Sequence, residues 1–326
     1  VTALILAAAL CTGLVGLASA AFAQSDAANY PERTVRMVVP FPAGGGVDVI
    51  TRLIAQQLAA RYGKPVVVEN IVGGTAINAV QHVGAAPRDG YTLMVGSPTP
   101  FSVLTAVRSN LPFNNLRDFI PVTLFGVAPE VLSINPGVPA KTVPELIAHL
   151  KANPGKLSFG NTGPGGLPHL SVELFAQLSG TQVVHVPYRG TAPAVADVIA
   201  GHIHGVIDSL ISQLGAIRQG QVRALGVSTR QRAPALPDVP TIADHLPDYE
   251  ATAWVGLFAA PGTPMEIVRK LHADVRRVLE EPDVRRRLQE MATEPDGRAP
   301  EEFARFIAAD NARWRAVVAK GNIKVE

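Results

Sequence analysis

Cysteine is all but missing from this chain. Cys11 is the only one in 326 residues, and it lies inside the apolar run that opens the sequence. Beyond that run there is no disulfide to staple the fold and no thiolate to act as nucleophile or metal ligand, so the core must hold the chain together. Charge of one sign is also lacking. The formal net charge is +2, which gives no electrostatic grip on nucleic acid or anionic lipid, and any positive site must be local. Catalytic signatures are absent as well: there is no Gly-x-Ser-x-Gly elbow and no His-Glu-x-x-His helix. No enzyme, cofactor or metal is therefore expected, although a triad built by geometry would leave no trace in sequence order.

What is present points to a folded, exported protein. Hydrophobic residues make up 47% and charged residues 17%, enough apolar material for one large or two medium domains, and two lobes are expected. The stretch from Val1 to Ala23 is rich in Ala and Leu and ends in Ala21-Phe22-Ala23 before Gln24. It reads as a signal peptide lacking its basic front, which places the protein in the periplasm; the other reading is a short membrane anchor. Asp26 to Pro31 continues as a polar linker without a stop-transfer charge cluster. Leu10 and Ala8 before Cys11 do not suit lipid attachment.

From Val35 onward, short β-branched runs alternate with longer amphipathic ones. Strands are predicted at Val35–Val39, Val66–Glu69 and Tyr91–Val95, with helices at Val47–Ala60 and Ala76–Ala85. Consecutive apolar positions such as Met37-Val38-Val39 suit parallel strands covered on both faces. A second series predicts strands at 131–134, 157–159, 183–186, 205–207 and 223–227, and helices at 143–152, 169–178, 192–200 and 210–218. That pattern predicts two sheets. Arg232 to Tyr249 is a proline-punctuated connection, and Thr252–Ala260 reads as a strand returning to the first lobe. The tail is helical, with Pro264, Pro282 and Pro300 at first turns, and is expected to pack outside the first lobe. Arg285-Arg286-Arg287 is interleaved with Glu280, Glu281, Asp283 and Glu290, which makes a solvated helix face rather than a nucleic-acid patch.

Two glycine turns carry the functional signal. Phe41-Pro42-Ala43-Gly44-Gly45-Gly46 with Val47-Asp48 follows the first strand and opens the first helix. Glycines there let the backbone turn sharply and offer N–H groups, at the positive end of a helix, to an anionic oxygen; the alternative is a plain tight turn. A P-loop would have Lys followed by Ser or Thr where Val47-Asp48 stands, and a dinucleotide fingerprint would have glycine at Val49. A carboxylate is the more natural anion, since it needs only a few N–H donors and bridging water. The second turn, Gly160-Asn161-Thr162-Gly163-Pro164-Gly165-Gly166, precedes the helix bearing His169. One such turn per lobe, both at strand C-terminal ends, would face each other across a cleft.

Around that cleft the pattern places Ser97 and Thr99, the run Tyr188-Arg189-Gly190-Thr191, and Asp208-Ser209. Arg189 is either a surface charge or a ligand contact. Asp208 is a helix N-cap, a cleft residue or both. His169 either ties the glycine turn down or moves a proton. His202 and His204 with Asp208 resemble a metal set by residue type, but the two histidines sit beside Gly201 and Gly205 in what reads as a surface turn.

These residues resemble a known family, the Bug-type substrate-binding receptors of tripartite tricarboxylate transporters. The resemblance runs from about Tyr30 to the C-terminus. It rests on Val38 to Asp48, Asp89-Gly90-Tyr91-Thr92-Leu93, His185 to Gly190, Pro234 to Thr241, and Trp254 followed by Ala260-Pro261-Gly262-Thr263-Pro264. Five motifs in order with suitable separations make it specific. It implies an α/β, two-lobed type II periplasmic-binding-protein fold with a ligand cleft between lobes: 24–128 plus 250–326 as lobe 1, and 129–249 as lobe 2. It further implies a small mono-, di- or tricarboxylate held by Phe41 to Asp48, Ser97, Asn161 to His169, Tyr188 to Thr191 and Asp208. The expected partners are the membrane subunits of the transporter or, in a sensory role, a sensor kinase, and the expected state is a monomer. The chain departs from the family pattern at Ile71 to Asn78, at Ser209 and at Pro98, all beside the expected ligand.

Overall fold

The run Val35–Val39 forms the first strand, β1, and its side chains separate to two faces. Met37 and Val39 join one hydrophobic cluster while Val38 joins another, the period-2 alternation of a strand whose sheet is covered on both sides. The structure, a computed structural model, describes residues 29–108, 110–113, 115–321 and 323. The segment read as a signal peptide, residues 1–23 with Cys11, and its cleavage site before Gln24 lie outside the described residues. Among the described residues no helix is long and apolar enough to cross a membrane.

Helix α1 (Gly46–Tyr62) follows β1, and then come β2 (Val66–Asn70), α2 (Ile77–Gly84) and β3 (Thr92–Gly96). Both β2 and β3 pair with β1 in parallel, as the alternating pattern predicted. Ile50, Ile54 and Leu58 of α1 cover one face of this sheet, and Val80 and Val83 of α2 cover the other. After β3 the chain makes a π-helical turn over Thr99–Val103, then the short helices α3 (Leu104–Val107) and α4 (Asn115–Asp118). That turn was not legible in the sequence.

The largest departure from expectation is β4, a strand of 15 residues, Ile120–Ile134, where only its last four had been predicted. Pro121 and Pro129 argue against a strand by residue type, but the register shifts near Pro121 and near Leu124 accommodate the irregularity. From Ile120 to Pro129 this strand pairs with β9 (Thr252–Ala259), and from Glu130 to Ile134 with β7 (Gly205–Ser209). The two expected sheets are therefore halves of one hydrogen-bonded path, β2-β1-β3-β9-β4-β7, which continues through β5 (Ser158–Asn161) to β6 (Val184–Pro187).

The second half contains α5 (Val143–Ala152), β5 (Ser158–Asn161), α6 (Leu167–Ser179), β6 (Val184–Pro187), α7 (Thr191–Ala200), α8 (Leu210–Arg218) and β8 (Arg223–Val227). β5 pairs in parallel with both β6 and β7, and β8 pairs with β4. Its core centres on Leu132, Phe159, Leu170, Phe175 and Ile207. The tail forms α9 (Met265–Glu280), α10 (Pro282–Glu290), the two-residue strand β10 (Glu294–Pro295) and α11 (Pro300–Gly321). The first two helices pack against the first half as expected, but α11 does not stop there. Phe303 and Ile307 join Trp254 and Phe258, while Trp314 joins the second core beside Tyr249 and Phe175. The fold is a two-lobed α/β architecture whose lobes are joined by β4, the return segment near Ala251, and α11.

Candidate functional site

The first glycine turn is braced from within. Gly44 adopts φ +82°, a left-handed conformation that favours glycine, and donates its N–H to Asp48 Oδ2 at 2.9 Å. The same carboxylate accepts from Arg52 Nε at 2.9 Å and from Asn70 Nδ2 at 2.9 Å, and Asn70 also donates to the Phe41 carbonyl at 3.0 Å. Burial alone would raise the Asp48 carboxyl, but the bonds from Arg52, Gly44 and Asn70 outweigh it and hold its pKa below the usual value. Asp48 was expected among the ligand contacts. Its side chain is 2% exposed and spent on this bracing, so it shapes the turn. Pro42, Ala43 and Gly44 stay exposed, and Phe41, Gly45 and Gly46 are half-buried.

The second turn is held by a set of side chains only partly foreseen. Asn161 Oδ1 accepts from Gly163 N at 3.0 Å, Gly166 N donates to the Gly163 carbonyl at 3.1 Å, and the Thr162 hydroxyl lies against Gly166. His169, in the first turn of α6, accepts from Gly165 N through Nδ1 at 3.4 Å and so ties the turn to the helix. Behind it stand Glu173 and His185. His185 Nε2 is 2.9 Å from Glu173 Oε1, His169 Nε2 is 3.9 Å from the same oxygen, and the two rings meet edge to face at 4.8 Å. Burial, reinforced by His185, lowers the His169 pKa to about 4, so its ring is neutral near neutral pH. The hydrogen bond from His185 keeps the Glu173 carboxyl low against the opposing effect of burial. Glu173 lies one helical turn after His169, a spacing that could have flagged it in the sequence.

The ligand atoms of His169, Glu173 and His185 lie within 4.8 Å of one another, the one grouping among the described residues able to hold a metal. The hydrogen bonds favour a metal-free triad. Both Nδ1 atoms face loop donors, Gly165 N–H and the Asn161 amide at 3.4 Å, so the ring protons sit on Nε2, where a metal would have to bind.

The two halves come together at these turns. A Cβ added to Gly46 would lie 3.3 Å from Ser209 Oγ and 3.3 Å from Ile211 Cδ1, and one on Gly190 would lie 4.0 Å from Pro42 Cγ. Thr99 Oγ1 accepts from Leu167 N at 3.2 Å, linking the turn after β3 to the start of α6. Expected residues of both series thus converge at the C-terminal ends of β1, β3, β5 and β7. Two of them carry buried oxygens without a hydrogen-bond partner, Ser97 Oγ and Asp208 Oδ2. Asp208 is 4% exposed and its Oδ1 accepts from Ser209 N at 2.7 Å. Burial raises its pKa to about 6, opposed by the Ser209 amide and the nearby Thr191 hydroxyl, although Thr191 makes no bond of good geometry to Oδ2. The N-cap position of α8 is Ser209, so Asp208 stands one residue before the cap.

Other expected residues are placed differently. The Tyr188 hydroxyl donates to Asp197 Oδ2 at 2.7 Å on α7, while its N–H donates to the Asn161 carbonyl at 2.8 Å beside the second turn; burial and Asp197 push its pKa up to about 12. Arg189 is exposed and forms no hydrogen bond or ion pair among the described residues, the surface-charge arrangement. His204 sits at the start of β7, four residues before Asp208 at its end, about 13 Å along an extended strand. Its Nδ1 accepts from Ser158 N at 3.0 Å, while His202 pairs with Asp197, so these residues do not assemble a metal set.

Behind the cleft, at the crossing of the lobes, sits a buried acid the sequence did not reveal as special. Glu130 is 1% exposed, accepts from the Ser171 hydroxyl and donates its own N–H to Ser228 Oγ at 2.8 Å. Burial, with Asp208 nearby, pushes its carboxyl well above the ordinary range despite the Ser171 bond.

Comparison with known proteins places the chain in a family. Residues 50–323 match the family described as tripartite tricarboxylate transporter family receptor. A protein encoded in the tcbD-tcbE intergenic region of Pseudomonas sp. strain P51 is 38% identical over 311 residues, covering 94% of this chain and 92% of its own length. Protein BugT of Bordetella pertussis is 33% identical over 303 residues, 92% of this chain and 93% of BugT. Among solved structures, Rpa4515 of R. palustris with adipate is 35% identical with a TM-score of 0.87, covering 90% of this chain and 99% of that one. MatC of Rhodopseudomonas palustris, with bound malate, is 34% identical with a TM-score of 0.83, covering 89% and 100%. The periplasmic binding protein BugD is 29% identical with a TM-score of 0.85, covering 91% of this chain and 100% of that one. This chain belongs to the tripartite tricarboxylate transporter receptor family and is a Bug-type solute-binding protein.

Proposed function

We propose that this protein captures a small carboxylate in the periplasm and delivers it to the membrane subunits of a tripartite tricarboxylate-type transporter. The observation that carries the reading is the meeting of the two halves at strand C-terminal ends: Gly46 against Ser209 and Ile211, Pro42 against Gly190, and Thr99 bonded to Leu167. The ligand would be held by the N–H groups at the start of α1, from Gly46 onward, by the Ser97 hydroxyl and by bridging water, with no arginine or lysine clamp, since the N–H groups of Gly44, Gly45, Gly163, Gly165 and Gly166 are spent within their own turns. Adipate and malate in relatives of about one-third identity support a carboxylate as the ligand class.

The lobes, 24–128 with 250–326 and 129–249, would open and close where β4 crosses near Glu130 and the return strand passes Ala251. Ser228 ties both crossings, accepting from Glu130 N and donating to the Ala251 carbonyl. Export would rest on the signal-peptide reading of residues 1–23, and the monomer is the working unit. A thermal-shift screen of the refolded chain from Gln24 onward, against small carboxylates and amino acids, tests the proposal. One narrow class of acids should raise the midpoint by a few degrees, since ligand at about a hundred times its dissociation constant adds about 2.7 kcal/mol. A flat response to all acids, or chemical conversion of one, would overturn it.

A further inference from the structure

The proposed cleft contains one polar atom that a plain dicarboxylate does not satisfy. Asp208 Oδ2 is fully buried and unpartnered, on a residue 4% exposed, at the end of β7 where Ser209 meets Gly46. A buried carboxylate oxygen left unpaired is strongly unfavourable, and structures keep such groups where something else completes them. The residues around it offer no cation. Ser209 gives its N–H to Oδ1, Thr191 stands nearby without a well-formed bond to Oδ2, and the charged neighbour on β4 is another acid, Glu130. Glu130 is itself engaged by the Ser171 hydroxyl.

We infer that the ligand carries a hydrogen-bond donor beside its carboxylate, a hydroxyl or an ammonium group, which Asp208 Oδ2 accepts when the lobes are closed. This rests on the carboxylate-receptor reading and narrows it to hydroxy or amino acids. The two orphaned oxygens then divide the work. The Ser97 hydroxyl and the N–H groups at the start of α1 meet the ligand's carboxylate, and Asp208 meets the donor. An acid lacking the donor would bury its oxygens or methylenes against an ionised carboxylate, a discrimination that polar sites make sharply. The raised pKa of Asp208, about 6, leaves it ionised in the absence of ligand at mildly alkaline pH, the state in which Oδ2 can only accept.

Titration calorimetry on the refolded chain, at about pH 8 where Asp208 is ionised, tests this with matched pairs. The probes are propionate with lactate, succinate with malate, glutarate with glutamate, and adipate with 2-aminoadipate. The expected result is that in the best-bound pair the donor-bearing acid binds at least about tenfold tighter, the strength of a hydrogen bond to a charged acceptor. In Asp208→Asn that ratio should fall toward one, because the charge is lost, while binding through the carboxylate persists. Equal or tighter binding of the plain acid to the unaltered chain overturns the inference and leaves the receptor reading standing. That outcome would instead have Asp208 take up a proton and donate to a ligand oxygen. Failure of every acid to bind overturns the carboxylate reading and this inference with it. The matched pairs need no variant, so a poorly folding Asp208→Asn does not blunt the test.

Discussion

Two aspartates at corresponding strand–helix junctions have opposite surroundings, and the difference lies in their partners. Asp48 is surrounded by donors: the Gly44 amide, Arg52 and Asn70. Asp48→Ala removes the acceptor and leaves those donors to find water, with an expected loss of about 2–3 kcal/mol in chemical denaturation and weaker ligand binding through a loosened turn. Asp208 has too few donors. Its pKa is raised from 3.8 to about 6, so the native state holds its proton more tightly than the unfolded chain does. That contribution to stability is fully present below 3.8 and is lost as pH rises through about 6. In the ligand-free protein at about pH 8, Asp208→Asn should therefore raise the unfolding free energy, by about 3 kcal/mol, and most of the gain should be gone at about pH 4. A buried group that weakens the empty fold while serving the ligand fits the usual exchange of stability for function.

At the scale of single elements, α6 links the second turn to the solvent. His169 has its pKa lowered to about 4 from 6.5, so the native state prefers the neutral ring. Its contribution is present above 6.5 and is lost as pH falls toward 4, because the unfolded chain then binds a proton that the native ring resists. Glu173, lowered from 4.5, adds a loss in the same direction at more acidic pH. Between about pH 7 and pH 5 the unfolding free energy of the unaltered chain should fall relative to that of His169→Gln by about 1–2 kcal/mol, read by chemical denaturation of both at each pH. Helix α1 gives a second test through its first residue. Gly46→Val places atoms within reach of Ser209 and Ile211, so it should keep the first half folded but weaken ligand affinity by about tenfold or more, read by calorimetry.

For the whole molecule, β4 and α11 decide whether the lobes behave as one unit. α11 buries Phe303 and Ile307 in the first half and Trp314 in the second. Arg313 on the same helix donates to the Glu250 carbonyl at 2.7 Å, beside the return crossing. Trp314→Ala should cost about 3–5 kcal/mol and, by freeing the second core from this helix, split a single thermal transition into two in calorimetry. A single transition lowered without splitting would mean that β4 alone couples the halves.

The sequence by itself determined the alternation of strands and helices, because β-branched runs and 3.6-residue periodicity are local properties. It also located both glycine turns, since the need for glycine at Gly44 is written in the backbone conformation that residue adopts. It did not reveal β4 in full, because two prolines mask a strand whose irregularities are absorbed by its partner β9. Nor did it separate Asp48 from Asp208, or single out Glu130 and His185, because Asn70 for Asp48, Ser228 for Glu130 and Glu173 and Asn161 for His185 come from 12 to 98 residues away, and the partner of Asp208 Oδ2 is missing altogether. Only the tertiary structure decided which acids are satisfied and which are left open, since burial and pairing depend on what folding brings across the cleft and not on neighbours along the chain.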